Sequence, residues 1–104
     1  MRYVDMTPPF VVSIGHSGRI GYLKAGVSLR VEEKAATAVE LHMPALRHEL
    51  VLLLSRQQAA ALEQVEGRER LRNEALESVR RVLSENANAE GIEDLLFTSF
   101  IVQR

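Results

Sequence analysis

The residues best suited to metal or proton chemistry are three histidines, His16, His42 and His48. His42 and His48 flank Pro44, and a metal ion there would need a third ligand such as Glu40 or Glu49. No metal-binding spacing links them, so structural or surface roles are the plainer reading. Ser55, His48 and Glu49 supply the residue types of a nucleophilic triad. His48 and Glu49 are sequence neighbours that point in different directions on a helix, and no nucleophile elbow surrounds the serine. The carboxylate pairs Glu32-Glu33 and Glu93-Asp94 lie at element ends, where charge is solvated. Gly15, Gly18 and Gly21 have glycine-loop spacing, but a strand follows them, not the helix a dinucleotide site requires. Arg68, Arg70 and Arg72 lie among Glu66, Glu69 and Glu74, the pattern of a solvated helix face, not a phosphate-binding stripe. The chain has no cysteine, which excludes disulfides, thiolate nucleophiles and zinc–sulfur sites. The expectation is a protein that is not an enzyme, carries no cofactor or metal and binds no nucleic acid.

The bulk composition agrees. Hydrophobic residues make up 46% and charged residues 26% of 104 residues, as in a single folded domain. A net charge of −1 creates no field for steering phosphates or acidic lipids. The longest aliphatic run, Leu50 to Leu54, is far short of the roughly 20 residues that span a bilayer. The opening residues, Met1 to Asp5, form no signal-peptide apolar region.

Residues 1–9 read as irregular, because Pro8-Pro9 disfavours helix, and 10–104 read as the domain. Phe10 to Ile14 reads as a strand, Gly15 to Gly18 as a loop, and Ile20 to Val31 as a second strand. In the second strand Leu23, Ala25, Val27, Leu29 and Val31 alternate with Tyr22, Lys24, Gly26, Ser28 and Arg30. So short a loop predicts an antiparallel hairpin. Helical patterns follow at Lys34 to Leu41, from Pro44 onward, at Gln57 to Leu62, and over about Glu66 to Glu85. Glu66/Arg70 and Glu77/Arg81 have the spacing of helix ion pairs. Ile92 to Gln103 closes the chain as a strand. The order predicts an α+β fold with a small, largely antiparallel sheet and helices packed on one face.

The last strand carries apolar residues on both faces, Leu95, Phe97 and Ile101 on one and Leu96, Phe100 and Val102 on the other. Helices that cover one face leave the second exposed, and such surfaces commonly mark protein contacts. The expected contact set is Tyr22, Lys24, Arg30, Thr98 and Phe100, with Phe97 and Ile101 facing the helices. A one-residue bulge would exchange the rows.

Several short motifs resemble the soluble domain of the FliL family of flagellar basal-body-associated proteins. In family order they are Phe10-Val11-Val12, Tyr22-Leu23, Met43-Pro44-Ala45-Leu46-Arg47 and Leu52-Leu53-Leu54-Ser55. Glu66-Gly67-Arg68-Glu69-x-Leu71-Arg72 and Leu96-Phe97-Thr98-Ser99-Phe100-Ile101-Val102-Gln103 follow. The resemblance implies a stomatin/prohibitin-like (SPFH-like) domain in the periplasm, tethered to the inner membrane by one N-terminal helix that this sequence lacks. It also implies a homo-oligomeric ring that associates with flagellar stator proteins to support motility. A stomatin-like membrane scaffold or interaction domain unrelated to motility is the alternative.

Overall fold

The computed structural model describes residues 1–104. Two long strands, β1 (Arg2–His16) and β2 (Arg19–Val31), form an antiparallel hairpin. Ser17 and Gly18 connect them at φ 51° and 77°. Two successive positive φ values give a turn whose twist matches that of the strands, and glycine adopts one of them without strain. Helices α1 (Glu33–Leu41), α2 (Met43–Ser55), α3 (Ala59–Leu62) and α4 (Val65–Ala87) follow. Asn88 ends α4 in the left-handed conformation, and the Ala89 N–H returns to the Leu83 carbonyl at 3.1 Å. Strand β3 (Ile92–Gln103) then pairs antiparallel with β2, giving the order β1-β2-β3.

The α+β class, the hairpin, all four helices and the last strand thus stand where their periodicities place them. The N-terminal segment does not. Residues 2–9, expected to be irregular, form the first half of β1, with Arg2 opposite Val31 and Met6 opposite Val27. Pro8-Pro9 interrupts the ladder without ending it, and pairing resumes at Phe10 opposite Ala25. The two prolines are tolerated because β1 is an edge strand and its register shifts across residues 7–9, which lie outside the regular ladder to β2.

The core lies between one face of the sheet and the helices. Met6, Phe10, Leu23, Leu29 and Leu95 meet Leu46, Leu50, Leu54, Leu71 and Leu83, all nearly inaccessible to water. Each such side chain contributes about 1.5–3 kcal/mol on burial. The Leu46, Leu50, Leu53 and Leu54 stripe of α2 and the Leu71, Ala75, Val79, Val82 and Leu83 stripe of α4 are buried together. The Glu66/Arg70 ion pair does not form, and Arg81 pairs instead with Glu49 of α2 at 3.6 Å, while Glu77 pairs with Arg80 at 3.1 Å.

Candidate interaction surface

Three motifs whose residue types drew attention in the sequence turn out to hold elements together. Arg47 of α2 lies over the Phe10 ring, 4.1 Å from its centroid, and donates to the Met6 carbonyl at 3.2 Å. It therefore braces β1 on both sides of the Pro8-Pro9 interruption. Gly67 lies in the first turn of α4, where a Cβ would run into the Ala61 carbonyl of α3. Arg68 donates to the Leu62 carbonyl at 3.0 Å. Arg72 grips Glu69 through Nε (2.9 Å) and Nη2 (3.2 Å), and its Nη1 reaches Asp94 of β3 at 2.6 Å. The Arg72 hydrogen bond holds the Glu69 carboxyl below the usual carboxylate range, and Glu69, with Asp94, holds the Arg72 guanidinium above its usual value. Arg68 and Arg72 are therefore not the solvated stripe expected of them.

The groups that could have suggested catalysis are dispersed. His16 ends β1, His42 sits between α1 and α2, and His48 is exposed on α2. The His16 Nδ1 is buried without a hydrogen-bond partner. No three acidic or imidazole side chains come together as metal ligands.

What the fold leaves uncovered is the sheet face opposite the helices. Register fixes its occupants. Val11, Lys24 and Ile101 form one row across the three strands, Ser13, Tyr22 and Gln103 the next. Val11, Tyr22 and Ile101 are 63%, 48% and 46% exposed, and Ile20 beside them is 71% exposed. Diagonal neighbours on one face of a sheet are close enough for large side chains to touch. These residues therefore make one apolar patch around the Lys24 ammonium, at the hairpin end of the sheet. A second group, Tyr3, Arg30 and Asp94, forms a row at the opposite end. Tyr22 and Arg30 are eight residues apart on β2, roughly 26 Å in extended chain, so they belong to separate patches.

The expected contact residues divide accordingly. Tyr22, Lys24 and Arg30 are exposed on the outer face, and Thr98 is exposed at its margin. Phe100 is not on that face. It stands opposite Ala25 on the helix side, half-buried, with its ring centroid 5.0 Å from that of Phe97. Ile101, expected to face the helices, points outward instead. The cause is a bulge. Gly26 pairs with Ser99 and Val27 with Phe97, which leaves Thr98 as the extra residue and exchanges the rows after it. The Gly26 N–H donates to Ser99 Oγ at 3.0 Å, and a Cβ at Gly26 would meet the hydroxyl oxygens of Thr98 and Ser99 at 2.6 and 2.8 Å. A glycine inside an otherwise alternating strand was the signal for that bulge.

Comparison with known proteins bears on this arrangement. The family model described as "Flagellar basal body-associated protein FliL" matches residues 3–103. The chain belongs to the FliL family. It is 32% identical over 95 residues to the flagellar protein FliL of Escherichia coli (strain K12), covering 90% of this chain and 60% of that protein. It is 26% identical over 99 residues to the flagellar protein FliL of Aquifex aeolicus (strain VF5), covering 94% and 59%. The chain therefore spans about 60% of the length of these relatives. No helix of the domain is long and apolar enough to cross a membrane. The match takes in all seven elements of the fold, both the bracing motifs and the outer face.

Proposed function

We propose that this domain is the protein-binding part of a flagellar motor accessory protein. It acts in the periplasm, tethered to the inner membrane through a helix outside these residues, assembles with copies of itself into a ring and holds the flagellar stator. The fold, on this reading, is kin to the stomatin/prohibitin domains. Family membership supports the flagellar setting. The observation that carries the binding role is the uncovered outer face, where Val11, Ile20, Tyr22 and Ile101 stay exposed although 26 other residues form a continuous core. Apolar side chains gathered on one open sheet face commonly mark contact with other proteins. Their flat, strand-borne setting suits contact with a partner surface better than enclosure of a small molecule.

A binder changes the behaviour of a motor only through unequal affinity for two of its states. The domain favours the engaged, ion-conducting stator by binding it more tightly than the idle form. In-frame deletion of the gene tests this through swimming under load and counts of fluorescent stator units at the motor. The expected result is fewer engaged units and the largest motility loss at high load. Unchanged stator counts and unchanged motility at all loads would overturn the proposal.

A further inference from the structure

The two edges of the sheet are treated differently. On β1, Pro8-Pro9 breaks the ladder, Arg47 occupies the Met6 carbonyl, and Gly15 bridges to Gln58. On β3, α4 covers only the first part of the edge. Arg80 donates to the Ile92 carbonyl at 2.9 and 3.0 Å and to that of Glu93 at 3.3 Å. The Leu95 N–H is taken by Asp94 Oδ1 at 2.9 Å, and the Leu95 carbonyl by Arg72 at 3.3 Å. Beyond Leu95 the protection stops. No hydrogen bond reaches the outer side of Leu96 to Gln103, and the segment pairs with β2 alone. It contains no charged residue and no proline, and Phe97, Phe100, Ile101 and Val102 have high strand propensity. Protected edges use charges, prolines, bulges or covering elements, and of these the stretch has only the single bulge at Thr98.

A groove of about 330 Å³ runs along the open edge. Arg68, Glu69 and Arg72 of α4 form its wall, Phe97 and Phe100 on the helix side form its floor, and Leu96, opposite Ser28 on the outer side of β3, lies at its rim. These three β3 residues are half-buried. An unpaired strand edge beside a helix, over an aromatic floor, is the arrangement in which a peptide adds as a further strand. Main-chain hydrogen bonds then supply affinity, and alternate side chains supply specificity. Charge specifies the occupant further. Arg72 is already neutralised by Glu69 and Asp94. Arg68 meets only the Leu62 carbonyl and has no carboxylate partner.

We infer that the β3 edge and the α4 wall form a docking groove for an extended segment of a partner protein, one with apolar alternate residues and a carboxylate placed for Arg68. This deepens the protein-binding reading above and rests on it. The groove is distinct from the outer face: it lies along the edge, so one protomer can contact a neighbour through one surface and a partner strand through the other.

The probe is a fluorescein-labelled peptide of about eight residues, alternating valine and threonine with glutamate at both ends. Two controls accompany it: the same peptide with lysine ends, and a version N-methylated at every second residue. The methylated peptide keeps its side chains but cannot donate along one edge. Binding is read by fluorescence anisotropy and by amide hydrogen exchange at Phe97, Phe100 and Val102. The groove predicts that the acidic peptide binds about tenfold or more tighter than either control and slows exchange at those amides. Arg68→Ala should erase the preference for acidic ends while the far-ultraviolet circular dichroism remains that of a folded domain, its Tm lowered only by loss of the bond to Leu62. Equal binding of the methylated peptide would overturn the inference. So would absence of binding up to about 1 mM, or self-association of the domain through this edge in sedimentation. Such a failure would leave the deletion phenotype, which tests the broader reading, untouched.

Discussion

Replacing Gly67 by alanine separates helix propensity from packing. Alanine is the better helix former, by at most about 1 kcal/mol, so propensity alone predicts a more stable protein. The structure predicts the opposite sign. The new methyl group would overlap the Ala61 carbonyl oxygen and crowd its carbon, both backbone atoms that no rotamer change can move. To admit it, α3 and α4 must separate, which strains the Arg68 hydrogen bond to Leu62 and loosens buried Leu62 and Leu71. Overpacking of this kind costs up to about 3 kcal/mol. Less the propensity gain of about 1, the net loss is about 2 kcal/mol. For a domain of this size that is a fall in Tm of about 8–16 °C. Thermal unfolding followed by circular dichroism measures it directly. An unchanged or higher Tm for Gly67→Ala would refute the account of the Glu66-Gly67-Arg68-Glu69 motif as a packing joint.

Other expectations follow from the same geometry. Ile101→Asp should cost no more than about 1 kcal/mol in equilibrium urea unfolding, a loss of strand propensity, because the residue points outward. Phe100→Asp should lower stability measurably, since its ring packs against Phe97 on the helix side. Arg47→Ala should cost about 1–2 kcal/mol in urea unfolding, by losing both the stacking on Phe10 and the bond to Met6. Glu69 has a folded-state pKa below its unfolded value of about 4.3. Its contribution to stability is therefore present above that value and fades as pH falls through the folded pKa. In Arg72→Ala, an NMR titration should place the Glu69 carboxyl back near its ordinary range, and the stability difference from the parent should shrink at acid pH.

Much of this fold was legible because its elements obey simple periods. The leucine stripe of α2, the long apolar stripe of α4 and the strict alternation of β2 each identified an element and its buried face. Two features were hidden for physical reasons. Pro8-Pro9 argued against regular structure at the N-terminus, yet an edge strand tolerates a missing donor, so β1 continues through it. The Thr98 bulge exchanged Phe100 and Ile101 between faces. Alternation cannot register one extra residue, although Gly26 on the neighbouring strand marked its place. Arg68 and Arg72 resembled a solvated charged face because periodicity does not show that a guanidinium reaches a carbonyl on another element. The candidate surface was legible as a surplus of apolar strand residues; which of them stay exposed depended on the bulge.

The proposed working surface is the outer face of the sheet. Replacement of Tyr22 and Ile101 together by aspartate, expressed from the native locus, tests it most directly. Both side chains are about half exposed, so the variant should fold cooperatively and accumulate, with Tm lowered by the loss of strand propensity. Motility under load and stator counts should then fall to those of the deletion strain. A folded variant that accumulates to the parent's level and restores motility in full would contradict the proposal.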